Sequence, residues 1–269
     1  MKTIAVLLPY FGKFPNYFEF FLQSCKDNPT VDFYVITDND CEKYISDKDS
    51  NIHFYETTFE EVKARFQKAF RFKIAMTRPY KLCDFKPVYG MVFNDIVQRY
   101  DFWGYCDCDL IFGNIRRFLT DEILNNNDYI LGLGHFHIQR TSDEKFDEVL
   151  KSARTRDGYD YEYVFSHEKN FVLDELPFGV PYTYLSFYPE RFYSGFHPAY
   201  RDYDSLSNQF LGFVDMYNFA NEYENDYLNS MYFQYQKNIP VWHRALTGGG
   251  QKECSVCLQE RNFGTMVCK

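Results

Sequence analysis

An alternation of strand and helix signals through the first hundred residues limits the fold more than any other feature. Ile4–Pro9 is a short apolar run, closed by the turn-prone Tyr10-Phe11-Gly12-Lys13-Phe14-Pro15-Asn16. A helical segment is predicted from Tyr17 to Cys25, with Asn16 placed to cap it. Val31–Thr37 is β-branched and aromatic, as strands prefer, and stops at Asp38-Asn39-Asp40. Ile52–Tyr55 reads as a third strand. Thr57 then opens a capping-box pattern with Glu60, leading into a helix that reaches about Phe70. Strand, helix, strand in this order predicts a parallel sheet with right-handed crossovers. The expected fold class is therefore α/β, a Rossmann-type mixed sheet flanked by helices. Ligands of such sheets bind beyond the carboxyl ends of the strands, which puts the Pro9–Lys13 loop and Asp38 at the ligand face.

Further along, a helix is expected to start after Pro87 and run to Tyr100. An aromatic strand follows, then an acidic pair, more apolar residues, Gly113 and a short helix. Tyr129–Leu133 reads as a buried strand, 140–170 as a helix with a surface excursion, and Phe171–Pro189 as strand-like. Ser205–Gln236 is Asn- and Tyr-rich, with helix expected in its second half. At 269 residues the chain is long enough for one large domain. The expected layout is a main domain over 1–245, with a nucleotide-binding half to about 135 and an acceptor half beyond it. Residues 246–269, with glycines at 248–250, form a Gly-rich loop and tail.

Charge and apolar runs restrict the partners. The net charge is −9 and no Lys/Arg cluster stands out, which argues against nucleic acid. No apolar stretch approaches the ~20 residues of a spanning helix. The first residues are too briefly apolar for a signal peptide, so a cytoplasmic protein is expected, with peripheral attachment to a membrane face left open. Eight cysteines then read as reduced thiols. Cys254 and Cys257 form a CxxC with Cys268 nearby, but zinc would need a fourth ligand and a redox motif would need a different setting. Aromatics reach 20%, with 24 Tyr and 29 Phe. An AT-rich codon bias explains that excess, and an aromatic wall for stacking sugars or bases would produce it too.

Asp-x-Asp occurs at 38/40, 47/49, 107/109 and 202/204. Three of these read as solvated turn carboxylates. Asp107 and Asp109 lie between Phe102-Trp103-Gly104-Tyr105-Cys106 and Leu110-Ile111-Phe112, where two carboxylates are costly to desolvate unless a positive charge meets them. A divalent cation does so most completely, since hard cations prefer carboxylate oxygens. Hydrogen bonding of an exposed pair to backbone N–H groups is the structural alternative.

The stretch WGYCDCDLIFGNIRRFL, 103–119, resembles the DxD region of glycosyltransferases of the GT-A fold. It is most similar to the lipopolysaccharide galactosyltransferase and glycogenin type and to related bacterial capsule enzymes. The resemblance covers about residues 1–135 and is patchy beyond. It implies a Mn²⁺ or Mg²⁺ ion on Asp109 and Asp107, with Asp107 also near the ribose. Pro9, Tyr10 and Phe11 would line the uracil and ribose pocket, and Asp38 would fall near the nucleoside. Lys81 and Lys86 are the basic candidates for the diphosphate or donor sugar. His243 would be a third metal ligand, followed by a glycine loop and Lys252 on the phosphates, although the spacing from His243 to the glycines is longer than in that family. Asp174 and Glu175 are the candidate catalytic carboxylates or sugar-hydroxyl ligands, and His135 and His137 could contact donor or acceptor. The implied activity is hexose transfer from a nucleotide sugar, UDP-linked, to a carbohydrate or lipid-linked oligosaccharide. A nucleotide-sugar binder without turnover and an aspartate-nucleophile phosphatase are the alternatives.

Overall fold

The computed structural model describes residues 1–45 and 51–193, together with the backbone alone of four short strands further along the chain. The protein is α/β, and its residues fall into two units that interleave in sequence. Met1–Phe14, Thr30–Asp107 and Asp121–Ser194 form the first; Pro15–Pro29, Cys108–Thr120 and the chain from Gly195 form the second.

The strands in chain order begin with β1 (Ile4–Tyr10), β2 (Asp32–Thr37), β3 (Ile52–Glu56) and β4 (Phe102–Cys106). They continue with β5 (Leu110–Phe112), β6 (Tyr129–Leu133), β7 (Phe136–Arg140) and β8 (Phe192–Tyr193). All but β5 belong to one seven-stranded sheet, ordered β3-β2-β1-β4-β7-β6-β8. β1 runs parallel to β2 and to β4, and β2 runs parallel to β3. β7 is antiparallel to both neighbours, and β8 is parallel to β6. From β1 the chain steps outward to β2 and β3, then returns to the other side of β1 as β4. That reversal creates a switch point between β1 and β4, where open α/β sheets take their ligands.

The helices in chain order are α1 (Phe18–Lys26), α2 (Phe59–Ala69), α3 (Tyr89–Val92), α4 (Asn94–Val97), α5 (Ile115–Phe118), α6 (Asp121–Asn126), α7 (Phe146–Ser152), α8 (Tyr161–Ser166) and α9 (Gly179–Phe187). All but α1 and α5, which belong to the second unit, flank the sheet in the first. The core of the first unit is largely aromatic. Phe66 of α2 packs edge-on against Phe85, Tyr89 and Phe93 at ring separations of 5.2, 5.9 and 5.9 Å. Such edge-to-face contacts add to the area buried.

Several local expectations change. The box that starts α2 is one residue later than read: Thr58 is the N-cap and Glu61 its partner, with Thr57 also donating to Glu61. α1 begins after Tyr17 with no side-chain cap, so Asn16 does not serve. The helix predicted after Pro87 is present as two short turns of α-helix, Tyr89–Val92 and Asn94–Val97, that break at Phe93, and a 3-10 helix, Pro79–Val88, precedes them. The segment 171–189, expected to be strand-like, is an extended loop followed by α9. β7 was not anticipated.

In the second unit, buried Asn28 ties α1 to the segment after β5. Its amide donates to Ser24 O and Gly113 O, and its carbonyl accepts from Ile115 N, all at 2.8–2.9 Å. β5 pairs antiparallel with β9 (Phe213–Asp215). β10 (Val241–Arg244), β11 (Ser255–Leu258) and β12 (Met266–Val267) form an antiparallel sheet. The helix expected in the second half of 205–236 lies outside the described residues.

Candidate functional site

The 3-10 helix over 79–88 sorts its side chains into three rows, because this helix has three residues per turn and side chains at i and i+3 eclipse. Leu82, Phe85 and Val88 form the row in the core. Lys81 and Asp84 share a second row, and Tyr80, Cys83 and Lys86 a third. The two lysines singled out in sequence therefore have different fates.

Lys81 is wholly buried. Its ammonium donates to Asp84 Oδ2 at 2.6 Å, to Val164 O at 2.8 Å and to Lys169 O at 2.7 Å. An ammonium carries three protons, so all are used inside the protein and none is left for a phosphate. Burial pushes Lys81 down and Asp84 up. Lys81 is a structural cage, apart from the site to which sequence reading assigned it.

Lys86 meets the end of β4. Its Nζ donates to Asp107 Oδ1 and to Gly134 O, both at 2.6 Å, and lies 3.9 Å from Asp174 Oδ2. Burial alone would lower this ammonium's pKa, but Asp107 and Asp174 raise it above the ordinary lysine range, so it is charged. Asp107 is placed by its own backbone, whose N–H donates to His135 O at 2.9 Å. Its side chain is 37% exposed while that of Lys86 is 8% exposed, so the pair opens outward on the carboxylate side.

The β6–β7 turn brings the third component. Leu131 sits at φ 80°, and the register slips between Ile130 and Leu133. A non-glycine residue at positive φ stores strain, and such strain clusters at functional sites. The bulge delivers Gly134 against the loop carrying Asp174 and Glu175. A β-carbon on Gly134 would stand 2.7 Å from Glu175 Oε2 and 3.3 Å from Asp174 Oδ2. Those two oxygens consequently lie within about 6 Å of each other. The loop is anchored from the sheet by buried Tyr105, whose hydroxyl donates to Asp174 O at 3.1 Å. Burial pushes the Asp174 carboxyl up to about 7, with Glu175 and Asp107 acting in the same sense and Lys86 against it.

One ammonium thus stands among three carboxylates, Asp107, Asp174 and Glu175. This excess of negative charge favours a cation or a ligand rich in hydroxyl donors. Asp107 supplies the hard oxygen chemistry that Mn²⁺ or Mg²⁺ takes. Among the described residues, no three His, Cys, Asp or Glu side chains are gathered as a metal cluster.

The other sequence candidates fall as follows. Pro9 and Tyr10 end β1, and Phe11 is buried in the core beyond it. The Tyr10 hydroxyl donates to Lys13 O at 3.1 Å, and its ring stacks on Phe14. Asp38 follows β2, exposed, with Oδ1 accepting from Gly12 N at 2.9 Å. The parallel register aligns Tyr10 with Thr37 and Leu7 with Tyr105, so the β1 loop, Asp38 and Asp107 share the carboxyl edge of the sheet. Asp109 is in the turn that leads into β5. His137 is fully buried between Tyr105 and Tyr129, so it faces no ligand, and burial holds its ring nitrogen down to about 3. His135 contributes its backbone carbonyl to Asp107, as described. His243 is on β10 opposite Val256, with its backbone alone described; Lys252 lies outside the described residues, as do Cys254 and Cys268. Cys41 and Cys83 are free thiols. Among the described residues no helix is long and apolar enough to cross a membrane.

Sequence reading missed Gly134, Tyr105 and the row through Tyr80 and Cys83. The Gly-x-Gly at 132–134 was the available signal for the turn.

Fold and site together define an α/β protein with a lysine–carboxylate centre at the carboxyl end of its central strands. The chain belongs to a family of unknown function (DUF6625), whose model matches residues 6–246. No curated protein matches it.

Proposed function

We propose that this protein is a metal-dependent glycosyltransferase of the GT-A type that moves a hexose from a nucleotide sugar, UDP-linked, to a carbohydrate or lipid-linked oligosaccharide hydroxyl. The observation that carries the reading is Lys86, buried between Asp107 and Asp174, with Glu175 alongside, at the strand edge bordering the switch point. The nucleoside belongs at the β1 and β2 ends of that edge, near Pro9, Tyr10, Phe11 and Asp38. Asp107 and Asp109, the acidic pair of the sequence motif, would hold Mn²⁺ or Mg²⁺, with His243 as a further candidate ligand. The cation would neutralise charge on the diphosphate. Lys86 adds a fixed positive charge on the protein side, where a preorganised cation stabilises developing negative charge.

Transfer forms a bond from the acceptor oxygen to the anomeric carbon and breaks the bond from that carbon to the diphosphate. The electron pair leaves with the diphosphate, and the acceptor's proton needs a base. Asp174 and Glu175 are the groups in place to accept it or to bind sugar hydroxyls. A carboxyl held near 7 is well matched to proton transfer at neutral pH. A role in bacterial surface-polysaccharide assembly, at the cytoplasmic side of the membrane, rests on the sequence resemblance alone.

Slow cleavage of UDP-glucose and UDP-galactose in Mn²⁺ without acceptor tests the reading. Cleavage by the wild type that drops at least 100-fold in Asp107→Asn is expected. UDP-sugar binding without cleavage would leave a nucleotide-sugar binder, and turnover of an aryl phosphate in place of UDP-sugar would point to a phosphatase.

A further inference from the structure

The row Tyr80–Cys83–Lys86 runs from solvent into the site. Tyr80 is 67% exposed, Cys83 is half-buried, and Lys86 is buried at the carboxylates. The same arrangement is felt electrostatically, since the Tyr80 hydroxyl senses Cys83, Lys86 and Asp107 together. Tyr80 is not loose, despite its exposure. Its carbonyl accepts from the Asn170 amide at 3.2 Å, and Asn170 Oδ1 in turn accepts from Arg78 at 2.6 Å, while the Arg78 guanidinium faces the ring at 5.9 Å. The backbone that carries this large aromatic side chain is thus held at the outer end of a row whose inner end is the carboxylate centre.

The rise of a 3-10 helix is about 2.0 Å per residue, which puts the backbone of Tyr80 about 12 Å from that of Lys86. The ring and the carboxylates therefore stand at opposite ends of one short helix. The face of an aromatic ring is its negative side. The C–H-rich face of a pyranose presents the complementary positive edge, and its hydroxyls suit the acceptor-rich carboxylates inside. The β1 and β2 loops already take the nucleoside in the proposed function, so the Tyr80 end is left for the other substrate.

We infer that Tyr80 is a stacking platform for a neutral saccharide, the acceptor, whose reacting end reaches toward Asp174 and Glu175. This assignment rests on the transferase reading for the word acceptor, but the saccharide subsite itself does not depend on it.

The test follows the Tyr80 ring resonance in full-length protein labelled on tyrosine, assigned with Tyr80→Phe. Lactose, maltotetraose and chitotriose are titrated separately, and UDP with Mn²⁺ in parallel. At least one oligosaccharide should shift Tyr80. Its affinity should fall about tenfold or more in Tyr80→Ala and stay within about threefold of wild type in Tyr80→Phe, which keeps the ring. UDP affinity should be the same in all three proteins. A Tyr80 shift caused by UDP and by no oligosaccharide would overturn the proposal in favour of base stacking, and no shift with any ligand would overturn it outright. Saccharide binding at Tyr80 without UDP binding would keep the subsite and reject the transferase.

Discussion

At Lys86 the burial of the ammonium is offset by two carboxylates and one carbonyl, so removing the lysine leaves Asp107 and Asp174 facing each other. Lys86→Met should cost about 3 kcal/mol in urea unfolding, the penalty for orphaning a buried charge. Adding Asp174→Asn to it should recover part of that loss, because the stranded charge is gone. Equal instability in single and double variants would show that Asp174 is not held by Lys86. Asp174 also sets a pH dependence. Its folded carboxyl titrates near 7, against about 3.9 when unfolded, so the folded state binds the proton more tightly. The stability this brings is complete below about 4 and is lost as pH rises through 7. His137 acts with the opposite sign, since its folded value near 3 gives stability that is lost as pH falls from about 6.5. The informative comparison is therefore wild type against Asp174→Asn: the stability difference between them should change by about 2–3 kcal/mol from pH 5 to pH 8, measured by urea unfolding.

Among elements, α2 depends on its reciprocal cap. Thr58→Ala should lower stability by about 1 kcal/mol, read as a shift in the unfolding midpoint, whereas Asn16→Ala should not, since Asn16 caps nothing. Glycines in the β4–β7–β6 ribbon separate fold from site. A β-carbon on Gly104 would meet His137 O at 2.0 Å, a backbone clash inside the ladder, so Gly104→Ala should give little folded protein. On Gly134 it would meet the movable end of Glu175, so Gly134→Ala should fold, within a few degrees of wild-type Tm, yet lose donor cleavage. The strands were readable because β1, β2 and β6 are short apolar runs ended by turn residues. The helix read after Pro87 is present but shorter, as two turns that break at Phe93; the 3-10 helix before it was not legible, because its third-residue rows are set by tertiary contacts of Lys81, Phe85 and Lys86. β7 escaped notice because His137 and Gln139 are polar residues that the sheet buries.

For the molecule as a whole, the sheet order places the β1 loop, Asp38 and Asp107 along one edge, and the alternating pattern of the first hundred residues was enough to anticipate that for the β1 loop and Asp38. It was not enough to choose between Lys81 and Lys86, which have similar neighbours in sequence and opposite surroundings in space. Nor could linear order show that Asp174, 67 positions beyond Asp107, would share its lysine. In the proposed function this edge binds a nucleoside diphosphate through a divalent cation. Calorimetric titration of UDP into the full-length protein, with Mn²⁺ and then with chelator, tests it most directly. Metal-dependent binding in the wild type, lost in Asp109→Ala with the fold intact, is the predicted result. Equal UDP affinity with and without metal, or none under either condition, would rule out a metal-held diphosphate at this edge.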